Sequence, residues 1–177
     1  DSGWGYPTWP EQWGGKGLPV SIAKLVRAER RAVGALGPPS GIGPTLLAQS
    51  DDGYNVLVGS TPRAPLLFGN YARHPAIYNR HKDSTAAGRY QILARYWPHY
   101  RDLLKLPDFG PVSQDLYAIQ QLRERGALPL IEAGHITAAI AKVSNIWASL
   151  PGAGYGQHEH EMKNLLAVYK AAGGDVA

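Results

Sequence analysis

The second half of the chain carries four apolar stripes with helical spacing, and this pattern most constrains the fold. Within each stripe the members recur every three or four residues, the period at which side chains share one helical face. The stripes are Tyr90, Leu93, Ala94 and Trp97; Leu116, Ile119 and Leu122; Ile136, Ile140, Val143, Trp147 and Leu150; and Met162, Leu165, Leu166 and Tyr169. We expect the first helix to open at Tyr90 and the second to follow a Ser113 cap. Gly126, the pair Pro151-Gly152 and the pair Gly173-Gly174 are expected to end the later helices.

The first half of the chain has a different character. Residues 1–17 are rich in Trp, Gly and Pro and predict an aromatic N-terminal strap, whose rings either cover the core or stack on sugar rings. Residues 18–36 predict a basic amphipathic helix, which either packs in the domain or lies on an anionic surface. Turn signals then surround a short β-like run at 54–58. We therefore predict a strap followed by one domain over 18–177, of the α+β class and mainly helical.

Composition narrows the range of functions. The 177 residues are 44% hydrophobic and 18% charged, which is typical of a folded globular chain. The absence of cysteine excludes disulfides, a thiolate nucleophile and Cys-ligated metals. A net charge of +4 with a pI near 9.3 permits a nucleic-acid partner, but the basic residues are dispersed and no reader motif is present. We expect no nucleic-acid partner, no cofactor, no stable membrane insertion and a monomeric protein.

One cluster resembles a metal site at first sight. His158, Glu159, His160 and Glu161 are consecutive, whereas a zinc-binding helix needs two histidines four residues apart. On a helix, side chains two apart also point to different sides. We therefore expect no metal site there.

Two glycine-containing segments are unlike ordinary helix sequence. Residues 84–91 place small residues and Gly88 directly before a Tyr-Gln pair, and residues 145–157 end a predicted helix in a loop with Tyr155 and Gln157 among glycines. Both are interpreted either as walls of a ligand cleft or as capping and turn sequences.

Three of these motifs carry a family resemblance. Residues 88–91 (GRYQ), 120–129 (QQLRERGALP) and 145–157 (NIWASLPGAGYGQ) resemble the lambda-phage endolysin family of peptidoglycan lytic transglycosylases, and the resemblance extends from Asp51 to Gly174. It implies a lysozyme-like fold, with a cleft between a helical lobe and a small β-containing lobe. It also implies a phage-encoded protein that is made in the host cytoplasm and acts on the cell wall in the periplasm.

The resemblance implies binding to peptidoglycan glycan strands and cleavage of the β-1,4 bond between MurNAc and GlcNAc, with a 1,6-anhydro-MurNAc end as product. One carboxyl group of raised pKa would protonate the leaving oxygen and then accept the proton of the attacking C6 hydroxyl. The substrate-binding residues carried over are Gly88, Arg89, Tyr90, Gln91, Asn145, Tyr155 and Gln157.

The sequence departs from the family at the position of the catalytic acid. The family has a Glu after a small residue at the end of its first helix, and the matching residue here is Gly41. Asp51 and Asp52 are the nearest carboxyls, and we interpret them as part of a turn. The alternatives are therefore an active enzyme, a homologue that binds peptidoglycan without cleaving it, and a structural wall or virion component.

Overall fold

The computed structural model describes residues 49–156, 158–171 and 174–177. The predicted strap over 1–17, the predicted helix over 18–36, Gly41 and Gln157 lie outside these residues. The division into a strap and one domain therefore stays a prediction.

Residues 49–96 form the small β-containing part of the fold. They consist of turns joined by short antiparallel bridges. The bridges pair Val56 with Leu67, Leu57 with Ala87, Thr61 with Ala64, Asn79 with Ser84, and Ala87 with Ile92. The predicted β-like run supplies Val56 and Leu57. Ala87 pairs with two partners and is fully buried, so it lies at the centre of this region.

The rest of the described chain is mainly helical. The helices are α1 (Trp97–Leu104), α2 (Pro111–Glu124), α3 (Leu128–Glu132), α4 (Ile136–Val143) and α5 (Met162–Ala171). A proline occupies one of the first two positions of α1, α2 and α3, where its missing N–H has no intrahelical partner to lose. The short helix α3 was not among the predicted elements.

Two predicted helix starts are wrong. Helix α1 begins at Trp97 and not at Tyr90, because the Tyr90 segment forms a tight turn. Gly110 and not Ser113 is the N-cap of α2, since Pro111 sets the helical φ from the first position. The Ser113 hydroxyl instead donates to Oδ1 of Asp108 at 2.9 Å.

The third predicted helix is shorter than its stripe. Helix α4 ends at Val143, and turns carry the chain on through Trp147 and Leu150, which are nevertheless buried. Burial was thus predicted correctly while the backbone conformation was not. The fourth stripe is confirmed, since Leu165 and Tyr169 are the buried residues of α5.

One hydrophobic core joins the helices to the β-containing part. Helix α1 packs on α2, α3 on α4, and α4 on α5. The Phe109 ring lies between the two parts, with centroid distances of 4.8 Å to Trp97 and 4.5 Å to the buried His74. Among the described residues, no helix has the length and apolar character needed to span a bilayer.

Candidate functional site

The 88–91 segment is a tight turn within the β-containing part. Ala87 and Ile92 close it with reciprocal backbone hydrogen bonds of 3.0 and 2.8 Å. Gly88 has φ +79° and Gln91 has φ +49°. Only glycine adopts such a φ at little cost, so the turn explains the glycine that the sequence places here.

Arg89 ties this turn to the preceding one. Its guanidinium forms an ion pair of 2.8 Å with the Asp52 carboxylate, donates to the Asp52 carbonyl, and lies 5.3 Å from the centroid of the Tyr54 ring. The Arg89 side chain is 13% exposed, whereas that of Asp52 is 66% exposed. The Asp51-Asp52 pair forms a turn as predicted, with Asp52 and Gly53 at positive φ.

Tyr90 belongs to the core and not to a ligand-facing surface, which corrects its prediction as a substrate-binding residue. Its side chain is 4% exposed, and its hydroxyl donates to Oδ1 of Asp115 at 2.6 Å. The Tyr54 hydroxyl donates to the same oxygen at 2.8 Å. Burial, followed by the nearby carboxylate, raises the Tyr90 pKa well above its usual value, so the hydroxyl keeps its proton.

The buried side chain of Gln114 on α2 holds the turn through hydrogen bonds with the backbone. Its Oε1 accepts from the Arg89 amide at 2.9 Å, and its Nε2 donates to the carbonyls of Tyr54 at 3.0 Å and Phe109 at 2.8 Å. A Cβ added to Gly88 would lie 2.1 Å from that Oε1, so the glycine also makes room for the amide.

Sequence reasoning missed Gln114 and Asp115 as organising residues. Asp115 precedes Leu122 by seven residues and Ile119 by four, so it shares their apolar stripe. A carboxylate on a stripe that faces the core was the available signal, because a buried charge must be paired.

Gln91 keeps a half-buried position at the edge of the turn. Its side-chain amide donates to the Gly88 carbonyl at 2.8 Å and, more weakly, to the Val56 carbonyl at 3.4 Å. The side chain therefore braces the turn that carries it. A contact with a ligand stays a prediction.

The second segment follows α4 and forms an exposed loop. Tyr155 is 57% exposed, and its hydroxyl donates to the carbonyl of the exposed Asn145 at 2.8 Å. The Glu159 carboxylate accepts from the amides of Gly152 and Gly154, each at 2.8 Å. These hydrogen bonds lower the pKa of Glu159.

The two predicted segments are adjacent in the fold. Indole Nε1 of the buried Trp147 donates to the Tyr90 carbonyl at 3.3 Å and thereby joins the start of the loop to the tight turn. The structure therefore joins the turn that holds Gly88, Arg89 and Gln91 to the segment that holds Asn145 and Tyr155. Their binding roles stay predictions.

The histidines beside this loop do not follow the predicted geometry. Residues 158–161 precede α5, so the argument from a helical spacing does not apply to them. The His158 and His160 rings lie edge to face with centroids 5.7 Å apart. Within the described ranges, no group of three His, Asp or Glu side chains is arranged to hold a metal ion.

Comparisons with known proteins agree on one family. A family profile described as Endolysin matches residues 40–176. The endolysin of Escherichia phage P2 is 52% identical over 130 residues, which are 69% of this chain and 79% of that protein. The endolysin of Escherichia phage lambda is 54% identical over 127 residues, or 70% of this chain and 77% of that protein.

Solved structures show the same relationship. Bacteriophage lambda lysozyme in complex with a chitohexasaccharide matches with a TM-score of 0.77 at 45% identity, covering 85% of this chain and 97% of that one. A second structure of lysozyme from bacteriophage lambda matches with a TM-score of 0.72 at 44% identity, with the same coverage. The predicted α+β, mainly helical, lysozyme-like fold is confirmed.

Proposed function

Since the chain belongs to the endolysin family of lysozyme-like cell-wall enzymes, we propose that it binds peptidoglycan glycan strands and cleaves their MurNAc–GlcNAc β-1,4 bonds, leaving 1,6-anhydro-MurNAc ends. The observation that carries this proposal is the match to a lambda lysozyme bound to a chitohexasaccharide. That ligand is a β-1,4 chain of N-acetylglucosamine, and every second sugar of a glycan strand is the same unit.

The region around the tight turn and the glycine loop supports a glycan ligand. Tyr155 presents an exposed aromatic face, and such faces pack against sugar rings. The exposed Asn145 offers a side-chain amide on the residue whose carbonyl accepts from the Tyr155 hydroxyl, and an amide suits the acetamido and hydroxyl groups of the sugars. The buried bonds of Gln114 and Asp115 hold this turn in place without a ligand.

The proposed reaction needs a single catalytic carboxyl group. The carboxyl group first donates a proton to the glycosidic oxygen as the bond between that oxygen and the anomeric carbon breaks. The resulting carboxylate then accepts the proton of the C6 hydroxyl while the C6 oxygen attacks the anomeric carbon. No water enters the product. A second catalytic carboxylate, which an ordinary glycoside hydrolase uses, is not required.

A second candidate function, binding without cleavage, is favoured by the carboxyls of the site. Hydrogen bonds lower the pKa of Glu159, which is the opposite of what a proton donor needs. Asp115 is buried beneath two tyrosine hydroxyls, and the Asp52 carboxylate is paired with Arg89. Glu159, Asp115 and Asp52 therefore lack the features of a general acid, and the position that matches the family's Glu is Gly41.

Muropeptide analysis distinguishes the two functions. Purified sacculi are incubated with the wild-type chain and with Gly41→Glu, and the soluble products are identified by mass spectrometry. Anhydro ends from the wild-type chain establish the transglycosylase. Sedimentation of the wild-type chain with sacculi without release of products establishes the binding protein, and Gly41→Glu is then expected to raise turnover by on the order of a hundredfold.

Two results would contradict these assignments. Products with only reducing ends would show hydrolysis and refute the transglycosylase. Loss of wild-type activity in the double variant Asp51→Asn with Asp52→Asn, at an unchanged urea midpoint and unchanged binding to sacculi, would place the acid in that turn instead of at position 41.

We further propose that the protein is phage-encoded, is made in the host cytoplasm and acts on the wall in the periplasm as a monomer. Fractionation of expressing cells, together with size-exclusion chromatography of the purified chain, tests both statements. Lysis by protein confined to the cytoplasm, or a stable dimer, would contradict them.

A further inference from the structure

The loop from 151 to 156 is built from residues that give it little rigidity of its own. Gly152, Gly154 and Gly156 have φ values of +79°, +73° and +69°. Glycine is the residue with the greatest conformational freedom, so three of them in alternation make this backbone costly to order. Apart from their chain neighbours, no atom of the described residues lies within 4 Å of the position of a Cβ at any of the three, so packing against this part of the chain does not restrain the loop there.

Polar contacts restrain the loop instead. The two oxygens of Glu159 accept separately, Oε2 from the Gly152 amide and Oε1 from the Gly154 amide, both at 2.8 Å. Amides that converge in a left-handed glycine segment form a concave site for an anionic group, and here the chain supplies that group itself. Glu159 is in turn held in place because the amide of the next residue, His160, donates to the Ser149 carbonyl at 2.8 Å.

The loop from 151 to 156, which Glu159 holds through the Gly152 and Gly154 amides, carries Tyr155. Its hydroxyl reaches back to the Asn145 carbonyl, so the ring is anchored at its tip while its backbone depends on the neighbouring glycines. Each oxygen of the Glu159 carboxylate already accepts from one amide of the loop. The carboxylate therefore acts on the conformation of the loop before any ligand is bound.

We infer that Glu159 is a positioning residue for glycan binding, which holds the Gly152 and Gly154 amides so that Tyr155 is presented before the glycan arrives. This inference rests on the proposed function, since the ligand is the same glycan strand. Without the carboxylate, binding must order the loop, and ordering one flexible group typically weakens an affinity about 2- to 12-fold.

The test compares Glu159→Ala and Glu159→Gln with the wild-type chain. Glu159→Ala removes both acceptors and is expected to raise the Kd for chitohexasaccharide by about 3- to 10-fold. Glu159→Gln keeps one carbonyl oxygen as an acceptor, so its Kd should lie between those of the wild-type chain and Glu159→Ala. The matched control is Glu161→Gln, because the Glu161 carboxylate pairs with Lys163 at 2.7 Å and not with the loop. We expect it to leave the Kd unchanged.

Nuclear magnetic resonance supplies the readout that separates positioning from general stability. In Glu159→Ala the amide protons of Gly152 and Gly154 should move upfield and exchange faster with solvent, because they lose their acceptor. The amides of α4 should not shift, and the urea midpoint of unfolding should fall only slightly, because the two lost bonds are exposed to solvent.

Each outcome decides the matter. Wild-type binding with an unchanged Kd in Glu159→Ala overturns the inference, and so does a weaker Kd with unshifted glycine amides, since Glu159 would then contact the sugar directly. If the wild-type chain does not bind the hexasaccharide, the proposed function fails and the inference fails with it. Weaker binding with both amides shifted supports it.

Discussion

The turn at Gly88 offers a test of the structure with a built-in control. Gly88 and Gly152 both have φ +79°, so an alanine at either position meets the same backbone strain. That strain costs about 1–2 kcal/mol for a residue with a Cβ. At Gly152 no atom of the described chain, apart from the neighbouring residues, lies within 4 Å of the new methyl group, whereas at Gly88 it would lie 2.1 Å from Oε1 of Gln114.

The second contribution at Gly88 comes from the bonds of Gln114. The side chain must move away, and it then gives up hydrogen bonds of 2.9, 3.0 and 2.8 Å in a fully buried environment. At about 1 kcal/mol each, partial or complete loss adds about 2–3 kcal/mol. We therefore expect Gly152→Ala to lower the free energy of unfolding by about 1–2 kcal/mol and Gly88→Ala by about 3–5 kcal/mol.

Urea unfolding followed by tryptophan fluorescence measures both losses, provided that the m-values agree with that of the wild-type chain. A double variant, Gly88→Ala with Gln114→Ala, removes the clash and should cost about 2 kcal/mol less than the sum of the single variants. Equal losses at the two glycines, or an additive double variant, would refute the packing of Gln114 beneath the turn.

Three further predictions concern the buried network, the buried histidine and the loop. Asp115→Ala removes the carboxylate oxygen that accepts from the buried hydroxyls of Tyr54 and Tyr90, and it should lower the free energy of unfolding by about 2–5 kcal/mol in urea. Asp115→Asn keeps an acceptor oxygen and should cost less. An equal cost in the two variants would contradict the role of Asp115 as the acceptor of both hydroxyls. His74 accepts from the Ala76 amide at Nδ1 and donates from Nε2 to the Ile92 carbonyl, so the fold needs the neutral ring, and burial lowers its pKa below 6.5. Below pH 6.5 the unfolded chain then binds more protons than the folded chain. The contribution of His74 to the free energy of unfolding is therefore fully present above pH 6.5 and is lost as the pH falls toward the pKa of the folded state. If the urea midpoint of His74→Gln has the same pH dependence as that of the wild-type chain, this prediction is wrong. Tyr155→Ala should weaken sacculus binding while changing stability by no more than about 0.5 kcal/mol, and an unchanged affinity would remove Tyr155 from the binding site.

The hydrogen bonds of the half-buried Gln91 side chain alter what a substitution there should do. The sequence alone predicts that Gln91→Ala weakens binding and barely changes the melting temperature. The structure adds two side-chain bonds to the turn backbone, so some stability should be lost as well. A binding assay on this variant therefore needs a parallel unfolding measurement.

The sequence by itself determined the features that depend on neighbours along the chain. The apolar period located the buried faces of α4 and α5, and the glycines at 88, 152, 154 and 156 marked turns with positive φ. On α2 it identified the buried Ile119 and Leu122 but missed the buried Tyr117 and Ala118. Helices and turns follow from the spacing of apolar residues and from local steric limits, and both can be read directly from the order of residues in the sequence. The family resemblance likewise came from contiguous motifs.

Only the tertiary structure decided which polar side chains hold the site together. Asp115 meets Tyr54 across 61 residues and Tyr90 across 25, and Gln114 meets the Tyr54 carbonyl across 60. The spacing of apolar residues does not predict these hydrogen-bond partners, because they depend on how the tight turn packs against α2. The packing of the turn against α2 also makes Tyr90 a core residue. Helix α1 begins only at Trp97, since reciprocal bonds between Ala87 and Ile92 satisfy the backbone that a helix starting at Tyr90 would otherwise have satisfied.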